Sequence, residues 1–106
     1  MENIKIKVAD WDKVSLDYDT RDRNEEYSQE KGYELCYSIC VCCGKPIKDV
    51  SAAKSLHMIE GGEYLTEYEG EINTCEGADM GWWRVGPVCY KKYKKNEYEI
   101  EIVNKD

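Results

Sequence analysis

The sequence predicts a small α+β domain of antiparallel strands with one or two short helices. The chain has 106 residues, which is the length of a single domain. Alternating apolar and polar residues near both ends and in the middle indicate strands, and a short basic stretch near residue 90 indicates a helix. The third observation is six cysteines, two of them spaced as Cys-x-x-Cys, which points to a cross-link holding these elements together.

The composition indicates a thin core for a chain of this length. Phenylalanine is absent, 35% of the residues are charged, and the aromatic residues are three Trp and nine Tyr. A domain of this size buries roughly two-thirds of the surface of its unfolded chain. A metal ion or a disulfide would therefore supply an important part of the stability.

The N-terminal sequence favours a metal over disulfides. Residues 1–8 alternate as a strand does and contain no apolar segment typical of a secretory signal. We therefore expect a protein of the reducing cytosol, where clustered cysteines are more often metal ligands than disulfides. No run of residues approaches the roughly 18 apolar positions of a membrane span, so no membrane contact is expected.

Strands are predicted in five places. Alternation over residues 4–8 predicts a half-buried first strand, and residues 33–42 show the clearest strand pattern in the chain. Residues 63–72 are interpreted as strands around a turn, and residues 82–85 as a short strand. Residues 98–102 alternate again and predict a closing strand.

Helices are predicted in shorter segments. Near-helical spacing of the apolar residues between positions 49 and 59 indicates a short helix, and residues 88–95 indicate one of about two turns. The segment 17–32 is too polar to show a buried stripe, so we interpret it as a loop or a short exposed helix. Thr20 or Asp22 is its expected N-cap.

The strongest functional signal is the segment of residues 40–47, Cys-Val-Cys-Cys-Gly-Lys-Pro-Ile. Two thiolates spaced as Cys40-x-x-Cys43 can bind one tetrahedral ion from a single tight turn. Gly44 lets the backbone turn after the second ligand and direct its amides at the sulfurs. Pro46 then fixes φ and ends the turn. We interpret this segment as a zinc knuckle, which is one half of a Zn²⁺ site.

The second half of the site has to come from elsewhere in the chain, because structural zinc is four-coordinate. Cys89 is the expected third ligand, since it lies at the start of the short basic helix. Cys75 is the leading candidate for the fourth ligand, because its loop precedes the strand at residues 82–85 and could fold back on the knuckle. The predicted ligand set is therefore Cys40, Cys43, Cys75 and Cys89. Such a closed site leaves no position for water, so the zinc is predicted to be structural and not catalytic.

Three other residues enter as alternatives or neighbours. His57 is the only histidine and the second candidate for the fourth ligand. Its other interpretation is a partly buried ring bonded to the backbone. Cys36, four residues before Cys40, is a third candidate. Cys42 is expected to point away from the ion as a small core residue.

The predicted order of elements resembles a treble clef or a zinc ribbon. A strand, the knuckle, a helix or hairpin, a strand, a turn with a cysteine and a helix follow one another over about residues 33–95. The chain is interpreted as one zinc-binding domain, 1–106. In it, residues 1–32 form an N-terminal strand and polar segment, residues 33–95 the zinc core, and residues 96–106 the closing strand.

The charge distribution favours a basic partner over general nucleic-acid binding. The net charge is −7, residues 60–79 carry seven acidic and no basic residues, and residues 91–95 carry four lysines. Either run alone is typical of a solvated face, but the acidic run is long enough to complement a cationic groove. Aromatic residues close to it in sequence are candidate contact anchors: Tyr64, Tyr68, Trp82, Trp83, Tyr90 and Tyr93.

No catalytic motif is recognised in the sequence. A cysteine–histidine nucleophile would have to use His57, and no motif frames that residue. Neither a Walker loop nor a GxGxxG loop is present. We expect a protein that is not an enzyme, with a thiol enzyme as a minor alternative.

The knuckle, residues 40–47, together with residues 86–92, Gly-Pro-Val-Cys-Tyr-Lys-Lys, resembles small zinc-knuckle proteins carried by phages and prophages of Gram-positive bacteria. Among such proteins are type II-A anti-CRISPR inhibitors, which are small, often acidic, and bind a host RNA-guided DNA nuclease. The resemblance implies a non-enzymatic inhibitor in the cytoplasm of the host bacterial cell. Many such folds have a second CxxC where this chain has only Cys89, which leaves the fourth ligand open.

Two function hypotheses follow from these patterns. In the first, an acidic and aromatic surface binds and blocks a basic, nucleic-acid-handling nuclease, whose channel is lined with positive charge. In the alternative, a treble-clef protein binds nucleic acid through the helix at residues 91–95.

Overall fold

The fold is described by a computed structural model over residues 2–59, 62–70, 72 and 80–104. Within these residues five strands form one antiparallel sheet in the order β4-β2-β3-β1-β5: β1 Glu2–Asp10, β2 Lys54–Ile59, β3 Tyr64–Thr66, β4 Trp82–Val85 and β5 Tyr98–Asn104. The helices are α1 Trp11–Val14, α2 Tyr18–Glu30 and α3 Pro87–Asn96, with a 3₁₀ turn at Val50–Ala52. The predicted α+β class and antiparallel sheet are confirmed.

The first and last strands pair with each other, as their alternation predicts. β1 and β5 run antiparallel with Ile4 opposite Ile102 and Ile6 opposite Ile100, so apolar side chains meet across the strands. The opposite edge of β1 pairs with β3 through Val8 and Thr66. The predicted strands at residues 4–8, 82–85 and 98–102 and the helix at residues 88–95 are therefore confirmed.

The strand predicted at residues 33–42 is wrong. This segment forms turns, and only Ile39 makes an isolated bridge, to Pro46. Cys36 has φ +66°, a left-handed conformation that no strand contains. Leu35 and Tyr37 are consequently exposed, so the alternation does not reflect a buried face.

The helix predicted between residues 49 and 59 is also wrong. A short 3₁₀ turn begins after Asp49, whose side chain accepts a hydrogen bond from the Ser51 amide, and β2 follows at once. β2 lies between β3 and β4, and its last four residues are all buried. A strand buried on both faces shows a continuous apolar run, which imitates helical spacing when it is short.

The polar segment 17–32 forms a full helix, α2. Asp17 is its N-cap, and not Thr20 or Asp22, because the Asp17 carboxylate accepts a hydrogen bond from the Thr20 amide at 3.2 Å. The Asp17 carboxylate also accepts a hydrogen bond from the Thr20 hydroxyl at 2.7 Å. Of the segment 63–72, only Tyr64–Thr66 is a strand among the described residues.

The apolar core lies on both faces of the sheet. One cluster contains Leu56, Leu65 and Val85 together with Tyr93 of α3, and it includes buried cysteines. The other cluster, on the opposite face, contains the residues Ile6, Val8, Ile59, Ile72 and Ile102. In the described part of the chain, no helix has the length and apolar character needed to cross a bilayer.

Candidate metal centre

Three cysteines from two distant segments converge at the core cluster that contains Leu56, Leu65, Val85 and Tyr93. The Sγ atoms of Cys40, Cys43 and Cys89 all lie within 4.8 Å of one another. Four sulfurs around a zinc ion at about 2.3 Å are separated by about 3.8 Å, so a small contraction would bring these three onto one ion. Cys40 and Cys89 are buried and Cys43 is half-buried, which keeps water away from such an ion.

The knuckle is a tight turn closed by backbone hydrogen bonds. The Gly44 amide donates to the Cys40 carbonyl at 2.8 Å, and the Cys40 amide donates to the Lys45 carbonyl at 3.0 Å. Gly44 has φ +76°, which glycine adopts without strain, so the sequence position predicted to need a glycine does need one. These bonds bring Cys40 and Cys43 to the same side of the turn.

Cys89 is positioned by the first turn of α3. Gly86 is the N-cap residue and Pro87 is the first helical residue, so Cys89 lies where unpaired helix amides create a positive potential. That potential would offset the negative charge of a thiolate bound to a metal ion. The helix start also lies close to the knuckle, since a Cβ placed on Gly86 would be 3.7 Å from the Cys40 Cβ.

Backbone amides stabilise the sulfurs directly. The Gly86 amide helps to lower the pKa of the Cys40 thiol, and the Lys45 amide opposes the larger interactions that raise the pKa of the Cys43 thiol. Amide donors of this kind orient metal-bound thiolates and offset their negative charge. Each segment of the site therefore supplies both a sulfur and an amide donor.

The thiols also interact with one another. Hydrogen bonds from Cys42, Cys43 and Cys89 hold the pKa of the Cys40 thiol far below its usual range. The interaction with Cys40, which is the largest cause in each case, raises the pKa of the Cys42, Cys43 and Cys89 thiols. Metal binding requires thiolates, so a divalent cation bound by Cys40, Cys43 and Cys89 would displace their protons.

The predicted ligands differ in where the structure places them. Cys40, Cys43 and Cys89 come together, and Cys75 lies outside the described residues. His57 is buried in β2, with Nδ1 3.0 Å from the Tyr68 carbonyl oxygen, which matches its interpretation as a ring bonded to the backbone. Within the described part of the chain, its ring nitrogens do not join the sulfur cluster.

The two remaining cysteines behave differently from each other. Cys36 is exposed and, among the described residues, takes no part in the cluster. Cys42 is fully buried in the core, as expected, and among the described residues its sulfur does not belong to the group of three that lie within 4.8 Å of one another.

Polar side chains of α2 hold the knuckle from outside, a contact that the sequence pattern did not predict. Asn24 Nδ2 donates to the Cys43 carbonyl at 2.8 Å, and Ser28 Oγ lies 2.8 Å from the Gly44 carbonyl in a fully buried position. The helix is thus anchored by hydrogen bonds and not by an apolar stripe. The available signal was a pair of small polar residues four positions apart, which is too common to identify a contact.

The adjacent tryptophans face in different directions, as a strand requires. Trp83 is half-buried against the cluster that contains the cysteines, and its Nε1 donates to the Met80 carbonyl at 2.8 Å. Trp82 is 46% exposed and stacks on His57, with 4.8 Å between the ring centroids. Trp82 is therefore the outward residue of the pair.

Part of the charged surface is paired within the chain. Glu67, from the acidic run, bonds Lys94 Nζ at 2.7 Å and the Tyr90 hydroxyl at 2.7 Å. Lys94 also lies 3.6 Å from a carboxylate oxygen of Glu97. The lysine helix and the acidic run thus neutralise each other in part.

No known family, curated protein or solved structure matches this chain.

Proposed function

We propose that this protein is a non-enzymatic interaction module stabilised by one structural zinc ion. The observation that carries the metal assignment is the convergence of the Cys40, Cys43 and Cys89 sulfurs within 4.8 Å. Cysteine sulfurs on a tight turn and at a helix start suit zinc, which prefers tetrahedral sulfur sites. In this proposal the knuckle followed by the start of α3 forms a treble-clef-like metal core, and Cys75 is the fourth ligand predicted from sequence.

The proposed ion has a definite structural task. It would join residues 40–47, which contain no regular strand, to α3, which packs on the sheet through Tyr93. The knuckle in turn holds α2 through Asn24 and Ser28. Loss of the metal would therefore loosen α2 and the turns at residues 33–42 before it affects the pairing of β1 with β5.

The partner we propose is a basic protein of the kind that handles nucleic acid. The net charge of −7 supports it, as do exposed apolar and aromatic side chains around α2 and the turns that follow: Tyr18, Tyr27, Leu35 and Tyr37. The specific form of the proposal is an inhibitor that blocks an RNA-guided DNA nuclease in the bacterial cytoplasm, as type II-A anti-CRISPR proteins do. The knuckle resemblance is its support.

Direct nucleic-acid binding through residues 91–95 is the less favoured candidate. Lys94 is already paired with Glu67, which lowers the positive potential of the helix. The chain as a whole would also be repelled by phosphate.

Two measurements test the proposal. Reconstitution with zinc followed by elemental analysis should give one ion per chain, and the Cys40→Ser variant should retain none. Size-exclusion chromatography with a type II-A nuclease and its guide should show a complex and reduced DNA cleavage. A salt-dependent mobility shift with plain DNA or RNA, and no complex with the nuclease, would instead support the nucleic-acid candidate.

A further inference from the structure

A cavity of about 600 Å³ opens beside the knuckle. Side chains of α1, α2, β2, β4 and the turns at residues 33–42 line it. Its volume lies in the range of roughly 300–1,000 Å³ that is typical of small-molecule sites, and most of its described wall is apolar, as in such sites.

The apolar part of the wall suits an aromatic ring. Trp11 and Trp83 contribute indole rings, and Met58 and Met80 contribute thioethers. Both groups pack favourably against a further aromatic ring. The Trp83 Nε1 already donates to the Met80 carbonyl at 2.8 Å, so the polar edge of this indole is satisfied without a ligand.

Two arginines give the same cavity a positive charge. Arg21 of α2 and Arg84 of β4 line it together with one carboxylate, that of Glu25, so its described charged residues are two cations and one anion. The chain as a whole has a net charge of −7, which makes this local balance unusual. In the described part of the chain, the ion pairs are formed by Lys94 and by neither arginine.

Both guanidinium groups are held in place and keep donors for a ligand. Arg21 Cζ lies 5.2 Å from the centroid of the Trp11 ring, and its Nε donates to the Leu16 carbonyl at 3.2 Å. Arg84 Cζ lies 5.4 Å from the centroid of the Tyr37 ring, and one of its N–H groups donates to a backbone carbonyl at 3.4 Å. A guanidinium has five N–H donors, so each arginine can still bind an oxyanion.

We propose that this cavity binds a small aromatic carboxylate, with its ring against the tryptophan and methionine side chains and its carboxylate at Arg21 and Arg84. Charge complementarity selects an anion over a neutral aromatic molecule. Glu25 limits the local charge, which suits a monoanion better than a phosphate dianion. This inference goes beyond the proposed function, and it requires no bound metal.

Two dyes that share one ring system test the proposal on the zinc-reconstituted protein. Anilinonaphthalene sulfonate carries an oxyanion, and phenylnaphthylamine has the same rings without it. We expect the sulfonate to bind more tightly, with enhanced fluorescence, and naphthoate to displace it. Near-ultraviolet circular dichroism should stay unchanged, since the sulfonate dye also binds partly unfolded proteins.

Replacing each arginine separates its charge from the apolar wall. In Arg21→Met and in Arg84→Met the Kd of the sulfonate should rise about three- to tenfold, because a charge-assisted hydrogen bond is lost. The Kd of the neutral dye should change by less than about twofold. Arg23→Met is the matched control, since Arg23 is an exposed residue of α2 that does not line the cavity, and this variant should bind both dyes as the wild type does.

Cys36 reports where the dye binds. It is exposed and lines the same cavity, so bound sulfonate should slow its alkylation by iodoacetamide. Peptide mass spectrometry measures the modification at this residue alone.

The contrary outcomes each overturn the proposal. Equal affinity for the two dyes would describe an apolar surface suited to a protein side chain and not an anion site. An equal loss in Arg23→Met would show that only the overall charge matters. Failure of both dyes to bind, or alkylation of Cys36 at an unchanged rate with the dye bound, would show that this cavity is not the site.

Discussion

The contact between α2 and the knuckle makes the replacement Gly44→Ala a sharp test of the structure. An added Cβ would overlap the Arg21 carbonyl oxygen and lie 2.9 Å from the Glu25 amide nitrogen. Both are backbone atoms of a helix, so neither can move without displacing α2. The position also has φ +76°, which costs alanine about 1–2 kcal/mol.

The chain offers a matched control in Gly32→Ala. Gly32 has φ +94°, and a Cβ there would meet no heavy atom within 4 Å. This variant therefore measures the backbone strain alone, about 1–2 kcal/mol. The overlap at Gly44 should add about 1–3 kcal/mol, typical of forcing extra atoms into a packed site.

Urea unfolding with zinc present, followed by circular dichroism, gives both free energies of unfolding. We expect Gly44→Ala to lose about 2–5 kcal/mol in total, which is a large part of the stability of a domain this size. Equal losses in the two variants would contradict the close packing of α2 against the knuckle.

Three further predictions concern the metal, the histidine and one surface carboxylate. Removing zinc with a chelator at neutral pH should lower the melting temperature, and zinc affinity should fall as the pH falls, because protons compete for the thiolates; a calorimetric titration at several pH values measures this. His57→Ala should destabilise the fold, since the ring is buried and stacked on Trp82, yet leave zinc affinity unchanged; a large loss of affinity would make His57 a ligand. The hydrogen bond from Lys94 lowers the pKa of Glu67. The pair therefore stabilises the protein fully above the ordinary glutamate pKa of about 4.3. This stabilisation is lost as the pH falls through the lowered pKa of Glu67. Glu67→Gln should therefore cost less than about 1 kcal/mol at neutral pH, because the pair is well exposed, and its unfolding curve should approach that of the wild type in acid.

The sequence predicted well the elements whose residue pattern has a single physical cause, either packing on one face or local backbone chemistry. β1 and β5 alternate because one face of each packs on the core, as Ile6 and Ile102 show. α3 begins at Pro87, directly after its N-cap Gly86, and this Gly-Pro signal depends only on local backbone chemistry. Such patterns can be recognised without knowledge of the tertiary fold.

The elements that the sequence missed depend on contacts between distant segments. β2 is buried on both faces, so apolar and polar residues do not alternate along it as they do in a half-buried strand. α2 lacks an apolar stripe because Asn24 and Ser28 anchor it to backbone carbonyls of the knuckle. The turns at residues 33–42 include a positive φ at Cys36. Cysteine is not a residue type that predicts such a conformation.

The candidate metal site shows the same difference between local signals and contacts of distant segments. The spacing of Cys40 and Cys43 predicted two of the three sulfurs that converge, because two cysteines on one turn need only local geometry. Cys89 followed from its place at a helix start. Cys42 was predicted as a small core residue, and it is fully buried in the core.

Native mass spectrometry of the zinc-reconstituted protein examines the central claim most directly. The mass should correspond to one zinc ion per folded chain, and that mass difference should vanish in a Cys40→Ser/Cys43→Ser variant that also unfolds more readily. A wild-type protein that stays metal-free after reconstitution, or a double-serine variant that keeps its ion and its stability, would show that these thiols do not form a structural metal centre.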